Sequence, residues 1–298
     1  NNWFNAGMDY SYTFRQIHLF GEWALDRRLA PAFLQGLLIS VDPKVDLSVS
    51  WRAIAARYQV LTGDAFIESS RPSNESGVYL GIRIRPHERW RIEAYTDTHR
   101  FPWLRYRVDA PSYGWDRLLH LVYAPSRRLE ISLRWRDQLT QLNGEMGLED
   151  VGRQAFRFQL NYNISRALMF RHRTELIRMH TAGKQRQDGF LGYAEAIISP
   201  PGKSFSLSIR GQYFESASYD SRIYAFESDL LYSYSVPAFF GRGYRYYLLC
   251  QKKFGKRFGI WWRVSQTVYP EQHTQGSGLD TIEANQKTEI RAQIRWFF

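Results

Sequence analysis

The sequence predicts an all-β protein, a transmembrane antiparallel β-barrel of about 14–16 strands with short periplasmic turns and longer extracellular loops. Apolar and polar residues alternate over segments of roughly 9 to 13 residues, the length at which a tilted strand crosses a bilayer. Aromatic residues make up 16% of the 298 residues, and barrels need them for two interfacial belts. The final segment, Lys287 to Phe298, alternates Ile290 and Trp296 with Glu289 and Arg291 and ends on an aromatic residue. A last barrel strand often has this form.

Composition narrows the remaining classes. No run of about 18 apolar residues occurs, which excludes a helical membrane protein. Forty Lys and Arg against 29 Asp and Glu give a net charge of +11, which in a soluble protein would suggest nucleic acid. In a barrel, arginines instead fill the interior or meet lipid phosphates, so nucleic acid is an unlikely partner for this chain. Cys250 is the one cysteine, so no internal disulfide is possible. The first residue is Asn1 and no signal peptide is in view; either it was removed or the chain starts partway into a longer protein.

The first half of the chain contains alternating segments separated by turn residues. The clearest hairpin joins Val78–Arg85 to Trp90–Asp97 around Pro86–Arg89. Polar Glu68–Ser76 predicts an exposed loop, and Phe101–Asp109 predicts a strand, an inward-folded loop or both in part. The strand-like segments are Met8–Phe14, Ile17–Leu25, Pro31–Ser40, Val45–Arg52, Val78–Arg85, Trp90–Asp97, Leu118–Tyr123 and Leu129–Arg136.

The second half continues the pattern after Thr140–Gln154, which predicts a second long loop. Its strand-like segments are Phe156–Tyr162, Leu168–Met179, Phe190–Ile198, Phe205–Tyr213, Arg222–Tyr234, Tyr244–Lys252, Phe258–Val268 and Lys287–Phe298. One fault disturbs the alternation of short and long connections, because the short turns Ser199–Lys203 and Phe254–Arg257 are separated by an odd number of connections. Either Ser235–Gly243 is a folded-in loop or this count contains one strand too many or too few there.

Charged residues interleave with the apolar ones and are candidates for the barrel lumen. They have two interpretations: cross-strand ion pairs that fill the interior, or a cationic lumen that selects anions or an acidic polymer. The lumen-facing candidates are Arg83, Arg91, Glu93, Glu130, Arg134, Arg136, Arg157, Arg210, Arg263, Glu289, Arg291 and Arg295.

The sequence offers little for catalysis. Asp97 and His99 are two residues apart, share a face of one strand near its end, and would activate water if they formed an acid–histidine pair at the barrel mouth. No second such pair, Gly-rich phosphate loop, metal-spaced His/Cys cluster or Ser-centred elbow occurs. The sequence therefore predicts no enzyme, no metal site and no cofactor.

Several stretches carry a family resemblance: Phe14–Glu22, Phe101–Pro111, Tyr219–Glu227 and Gly276–Asp280. They resemble the C-terminal region of large, poorly characterised outer-membrane proteins of Bacteroidota, some of which carry a helix-hairpin-helix segment before the barrel. The resemblance spans nearly the whole chain and implies further barrel strands before Asn1 in the full protein. It transfers no catalytic or ligand residue.

These observations predict one barrel domain, residues 1–298, in the bacterial outer membrane. A pore or translocation channel for polar or anionic cargo is expected, because about 16 strands leave room for an aqueous lumen. The alternative is a plugged structural or accessory subunit of a larger secretion or surface-assembly complex, in which the lumen Arg and Glu pair off completely. Expected partners are outer-membrane lipids and lipopolysaccharide, the barrel-assembly machinery, and other outer-membrane protein subunits. Trp296 and Phe298 are the expected recognition signal for the assembly machinery.

Overall fold

The computed structural model of the chain describes residues 3–60, 63–255, 257–272, 274–276, 278–281 and 283–296. One antiparallel sheet of 15 strands contains most of them, and a separate sheet has two strands. The large sheet follows chain order: β1 (Asn5–Phe14), β2 (Ile17–Asp26), β3 (Pro31–Asp42), β4 (Val45–Ile54), β5 (Glu75–His87), β6 (Trp90–Phe101), β7 (Ser112–Ser126), β8 (Leu129–Gly144), β9 (Gly147–Asn163), β10 (Leu168–Thr181), β11 (Gln187–Ile198), β12 (Phe205–Ser216), β15 (Gly241–Phe254), β16 (Phe258–Val268) and β17 (Gln286–Trp296). The small sheet pairs β13 (Ile223–Tyr224) with β14 (Ala238–Phe239).

The predicted fold class is confirmed, and the 15 strands of the sheet lie within the predicted range. Two local predictions were wrong. Arg222–Tyr234 is not a spanning strand, because it contains only the short β13 within a loop between β12 and β15. Removing that strand from the count leaves a single long connection, residues 217–240, between the short turns around Ser199–Lys203 and Phe254–Arg257, so both short turns lie at the same edge of the sheet and the fault between them disappears.

The second wrong prediction was the long loop at Thr140–Gln154. These residues extend β8 to Gly144 and start β9 at Gly147. Polar side chains there pair between neighbouring strands, with Gln141 Nε2 donating to Asp150 at 2.8 Å and Gln154 Nε2 donating to Asp137 at 3.1 Å. The polar composition that predicted a loop therefore belongs to a hairpin tip held by side-chain hydrogen bonds.

The two faces of the sheet reverse the usual relation between polarity and burial. Residues directly opposite each other in an antiparallel ladder lie on the same face, so the register assigns each side chain. On one face, the apolar face, large side chains are exposed, as for Leu80 at 48% and Ile290 at 69%. On the other, the polar face, Arg52 and Arg263 are each 1% exposed. Apolar side chains outside and charges inside are what a bilayer solvent selects.

Aromatic side chains of the apolar face form rows across neighbouring strands. Phe33 contacts Trp23 and Trp51 edge-on, with ring centroids 5.1 and 4.8 Å apart. Phe258 contacts Phe254 and Trp296, at 5.6 Å in both pairs. Such rows fit the interfacial belts of a barrel. Phe298 lies outside the described residues, and the assembly role of Trp296 and Phe298 stays a prediction.

A polar pair also lies on the apolar face of β1 and β3. The Tyr10 hydroxyl reaches across Gly21 to donate to the Gln35 side chain, and a Cβ on Gly21 would lie 2.6 Å from that hydroxyl. Gln35 Nε2 in turn donates to the Phe20 carbonyl at 2.8 Å. The missing side chain at Gly21 therefore allows two polar groups facing lipid to satisfy each other across a strand.

The contacts divide the chain into two compact units. Unit 1 contains Asn1–Val122, Arg134–Gln154 and His180–Gln185, and unit 2 contains Tyr123–Leu133, Ala155–Met179 and Arg186–Phe298. Among the described residues, no helix is long and apolar enough to cross a membrane. The single barrel domain over residues 1–298 stays a prediction.

Candidate functional site

In unit 2 the polar face carries residues 217–240, the inner loop, which connects β12 to β15. Its Ile223, Ala225 and Phe239 are each at most 3% exposed. They form one buried cluster with residues that stand on the polar face of β10, β11 and β12: Ile177, Leu191 and Phe214. Apolar burial thus fixes the inner loop to a face that is otherwise charged.

A carboxylate of the inner loop binds two arginines of the sheet. Glu227 is fully buried and accepts hydrogen bonds from Arg245, Nε to Oε1 at 2.7 Å and Nη2 to Oε2 at 3.0 Å. Arg263 of β16 donates to the same Oε2. Asp229 lies 3.6 Å from Arg263 and accepts from Arg291 of β17 at 2.8 Å. We call Glu227, Asp229 and these three arginines the acid–arginine clamp.

Backbone carbonyls of the same loop bind two more arginines. Arg173 Nη2 of β10 donates to the Tyr224 carbonyl at 3.0 Å, and Arg210 Nη1 of β12 donates to the Phe226 carbonyl at 2.6 Å. Arg210 also pairs with Glu195 at 2.9 Å. Arginines thereby attach the inner loop to β10, β12, β15, β16 and β17, and Leu191 of β11 packs against it.

The loop supplies charge as well as contacts. Breaking a buried ion pair by removing one partner typically costs about 3–5 kcal/mol, because the remaining charge is uncompensated. Arg245 and Arg263 are 8% and 1% exposed, and Glu227 is the carboxylate closest to both. Departure of the inner loop would therefore leave arginines of the polar face without their main counter-ion.

In unit 1 a second buried ion cluster binds a different loop. Arg52 Nε donates to Glu75 at 2.6 Å, and its two terminal nitrogens donate to Asp97 at 3.1 and 3.0 Å. Glu75 also accepts from the backbone amides of Glu68 and Ser69, at 2.9 and 3.0 Å. The N-terminal end of the predicted exposed loop Glu68–Ser76 is thus held by the buried carboxylate of Glu75, at the start of β5.

The segment after β6 also turns back onto unit 1. Asn74 accepts from the Trp103 amide at 2.8 Å and donates to the Trp103 carbonyl at 2.7 Å. Val108 is fully buried, and the Arg105 amide donates to the Val108 carbonyl at 3.0 Å. Of the alternatives for Phe101–Asp109, the structure shows a strand end at Phe101 followed by a loop that folds back onto unit 1.

All twelve predicted lumen residues alternate onto the polar face, and their contacts are mostly ionic. In unit 1, Glu93 lies 2.9 Å from Arg83 and 3.4 Å from Arg91, and Arg136 pairs with Asp116. In unit 2 the contacts of Arg210, Arg263 and Arg291 are those described above. Contacts of the other predicted residues of unit 2 include Arg157–Glu175 at 3.0 Å, Asn161–Glu130 at 3.3 Å, Arg245–Glu289 at 3.6 Å and Arg295 to the Tyr232 hydroxyl at 3.3 Å. Arg134 stands two residues before Arg136 on the same strand face. That this face lines an aqueous lumen stays a prediction.

Sequence reasoning singled out Glu93, Glu130 and Glu289 but not the other acidic partners Glu175, Glu195, Glu227 and Asp229. Glu175 and Glu195 follow the alternation of β10 and β11 and could have been found from it. Glu227 and Asp229 could not, since they lie in a segment predicted as a strand. Arg245, Arg263 and Arg291 therefore pair with carboxylates from a segment that the sequence analysis misassigned.

Asp97 and His99 do share a face, but their surroundings do not suit the acid–histidine pair that the sequence analysis considered. Both are buried, and Asp97 is engaged by two nitrogens of Arg52. His99 Nδ1 lies 4.0 Å from Asp97, beyond hydrogen-bonding distance. Among the described residues, no group of three or more His, Cys, Asp or Glu could hold a metal ion.

Comparisons with solved structures find outer-membrane barrels. The alcaligin outer-membrane receptor FauA from Bordetella pertussis matches 98% of this chain with a TM-score of 0.54 and 13% identity. The chain spans 56% of the length of that receptor. A loop L8 deletion mutant of OmpT, an outer-membrane protein of Vibrio cholerae, matches 98% of this chain and 90% of its own, with a TM-score of 0.46 and 11% identity. An anion-selective porin from Comamonas acidovorans matches 99% of this chain and all of its own, with a TM-score of 0.45 and 9% identity.

No protein-family model matches the chain, and no curated protein matches it significantly. The similarity to FauA identifies the fold as that of an outer-membrane β-barrel. This fold, with its exposed apolar face, supports the predicted location in the bacterial outer membrane. The resemblance to proteins of Bacteroidota stays a prediction.

Proposed function

We propose that the chain forms an outer-membrane channel for small polar solutes that is held closed, in unit 2, by the inner loop. The observation that carries this proposal is the acid–arginine clamp, in which a loop between two strands places Glu227 against arginines of β15 and β16. A charged face on the inside of a barrel suits a watery path. A loop attached to that face by side-chain contacts can narrow the watery path while it is bound and widen the path when it leaves the face.

The pairing of charges bears on selectivity. Buried arginines of the polar face, such as Arg52, Arg210 and Arg263, each lie beside a carboxylate. Cation and anion neutralise each other over such short distances, so the closed state has little net field to select anions. We therefore propose polar cargo, with anion preference confined to states in which the clamp is open.

The test is conductance of the purified, refolded chain in a planar bilayer under a salt gradient. The wild type is expected to conduct rarely, and a variant with residues 219–238 replaced by a short Gly–Ser linker is expected to show steady steps. Heat-modifiable gel mobility confirms for each variant that the barrel has folded. Wild-type and shortened chains that conduct equally well would contradict a closing role for the inner loop.

Selectivity is tested in the shortened background, because Arg291 is itself part of the clamp. There, Arg134→Glu with Arg291→Glu is expected to shift the reversal potential away from anions. An unchanged reversal potential would count against a cationic path.

A second function, a plugged accessory subunit of a larger outer-membrane assembly, is favoured by the fully buried Arg52–Glu75 pair and by the clamp itself. Ion pairs that seal both units suit a barrel that never opens. That function predicts silence from both the wild type and the shortened variant, each correctly folded.

A further inference from the structure

Unit 1 contains a cavity of about 520 Å³ that neither the clamp nor the proposed channel uses. It lies where the polar face of β2, β3 and β4 meets the loop that follows β4. Residues of that loop, among them Tyr58, Phe66 and Pro72, form its outer wall. The volume falls within the range of about 300–1,000 Å³ that is usual for small-molecule sites.

The walls of the cavity are mostly apolar although they belong to the polar face. Ala24 and Ala32 stand on neighbouring strands and leave room through their short side chains. Ile54 and Tyr58 are 8% and 7% exposed and pack with Ala30 into one buried cluster. An apolar recess on a face of arginines and carboxylates is an unusual local composition, and it would bind an apolar group from water.

Two carboxylates border this recess, Glu22 from β2 and Asp64 from the loop. Within the described part of the chain, Glu22 has no ion-pair partner, and Asp64 accepts a single hydrogen bond, from the neighbouring Ala65 amide at 3.0 Å. Arg52 lies on the polar face two strands away from Glu22, but its guanidinium is taken up by Glu75 and Asp97.

Asp26, a nearby carboxylate of β2, differs from Glu22 and Asp64 in its hydrogen bonds. It accepts hydrogen bonds from the backbone amides of Arg28, Ala30 and Gln59, at 2.8, 2.9 and 3.2 Å. That carboxylate has a structural role in joining the β2–β3 turn to the loop after β4. Glu22 and Asp64 have no comparable role among the described residues.

Charge complementarity then defines the ligand. No Lys, Arg or His is among the described residues that line the cavity, although the chain as a whole carries a net charge of +11. An anionic ligand would meet two carboxylates without a counter-ion, and a purely apolar one would leave them unused. A protonated amine on an apolar body would satisfy both features.

We propose that this cavity binds a small amphipathic cation, with its apolar or aromatic body between Ala32, Ile54 and Tyr58 and its protonated amine at Glu22 and Asp64. The ring of Tyr58 adds a further attractive surface for the cation. The proposal concerns unit 1 and is independent of whether the inner loop of unit 2 opens.

Binding is measured by isothermal titration on the full chain in lipid nanodiscs, with three probes of similar shape: tryptamine (cationic), 3-ethylindole (neutral) and indole-3-propionate (anionic). Tryptamine is expected to bind at least tenfold more tightly than 3-ethylindole, and indole-3-propionate is expected not to bind. Empty nanodiscs give the partition into lipid, which is subtracted.

Variants separate the two halves of the site. Glu22→Gln with Asp64→Asn is expected to abolish the preference for tryptamine over 3-ethylindole, whereas Ala32→Trp, which fills the recess, is expected to abolish binding of both. Glu271→Gln, an exposed carboxylate of unit 2, is the matched control and should change neither. Equal binding of the three probes, absence of tryptamine binding to the folded wild type, or tryptamine binding that survives Ala32→Trp would each overturn the proposal.

Discussion

Substitution of Glu227 by Gln tests whether the inner loop is held by charge. The change keeps the shape of the side chain and removes its negative charge. Glu227 is fully buried and accepts from Arg245 at 2.7 and 3.0 Å and from Arg263. The substituted amide would offer one acceptor oxygen, and its NH₂ group would face arginine donors.

The free-energy cost of Glu227→Gln depends on which carboxylates still lie beside Arg245 and Arg263 after the substitution. Loss of one partner from a buried ion pair costs about 3–5 kcal/mol. Asp229 still lies 3.6 Å from Arg263, and Glu289 still lies 3.6 Å from Arg245, so part of the compensation survives. We therefore take the lower end, about 3 kcal/mol, which changes the ratio of docked to undocked loop by roughly a hundredfold.

Two measurements report this ratio. Single-channel recording gives the fraction of time the channel is open, which is expected to rise by up to about two orders of magnitude in Glu227→Gln. Amide hydrogen exchange of residues 217–240 is expected to accelerate, while exchange in β1 to β6 stays unchanged. The second measurement detects undocking even in a barrel that carries no current.

Glu271→Gln is the control. Glu271 also pairs with an arginine, Arg242, at 2.9 Å, but the two side chains are 67% and 52% exposed. Exposed ion pairs contribute little, so neither conductance nor exchange should change. If Glu227→Gln matches the wild type in both measurements while folding normally, the loop is held by its apolar cluster and the argument from charge is refuted.

Three further substitutions test the ion cluster of unit 1, the apolar face and the lipid-side polar pair. Arg52→Met leaves Glu75 and Asp97 buried without their cation and should destabilise the barrel by about 3–5 kcal/mol in urea titrations in vesicles; an unchanged midpoint would contradict this. Leu80→Arg places a charge on the apolar face and should cost about 2–4 kcal/mol in the same titration, whereas Ser48→Arg on the polar face should cost clearly less. Tyr10→Phe leaves the side-chain oxygen of its partner amide without a donor on the apolar face and should cost about 1–3 kcal/mol in the same titration; an unchanged midpoint would show that this hydrogen bond does not stabilise the barrel.

Much of the fold could be predicted because a strand in a bilayer has a simple rule, alternation with an apolar outside. The rule placed the faces of Val78–Arg85 and of Lys287–Trp296 correctly, since each strand obeys it without help from its neighbours. The rule failed at Arg222–Tyr234. This segment has the composition of a strand, but residues far away in sequence hold it against the polar face as part of the inner loop. Arg173 and Arg245 bind that segment from 51 and 18 positions away, and no local pattern reports such contacts.

The same limit explains why the two interpretations of the charged residues could not be separated from sequence. Alternation gives the face of each arginine but not its partner, and Glu227 and Asp229 come from the segment that was misassigned. With those partners in place, ion pairing describes the polar face of unit 2 as the structure shows it. Under the proposed function, the cationic-lumen interpretation would apply to the same residues once the inner loop has left that face.

Under the proposed function, the position of the inner loop decides which of the two interpretations applies. When the inner loop is docked, Glu227 and Asp229 offset charges of Arg245, Arg263 and Arg291. If the loop leaves, both carboxylates leave with it, and the three arginines remain on the sheet with Glu289 as the neighbouring carboxylate of β17. Opening would thus create the anion preference that the closed state lacks. A channel built this way would combine gate and selectivity in the same five side chains, so that conductance and anion preference should rise together across any series of clamp variants that removes an acid but keeps the arginines.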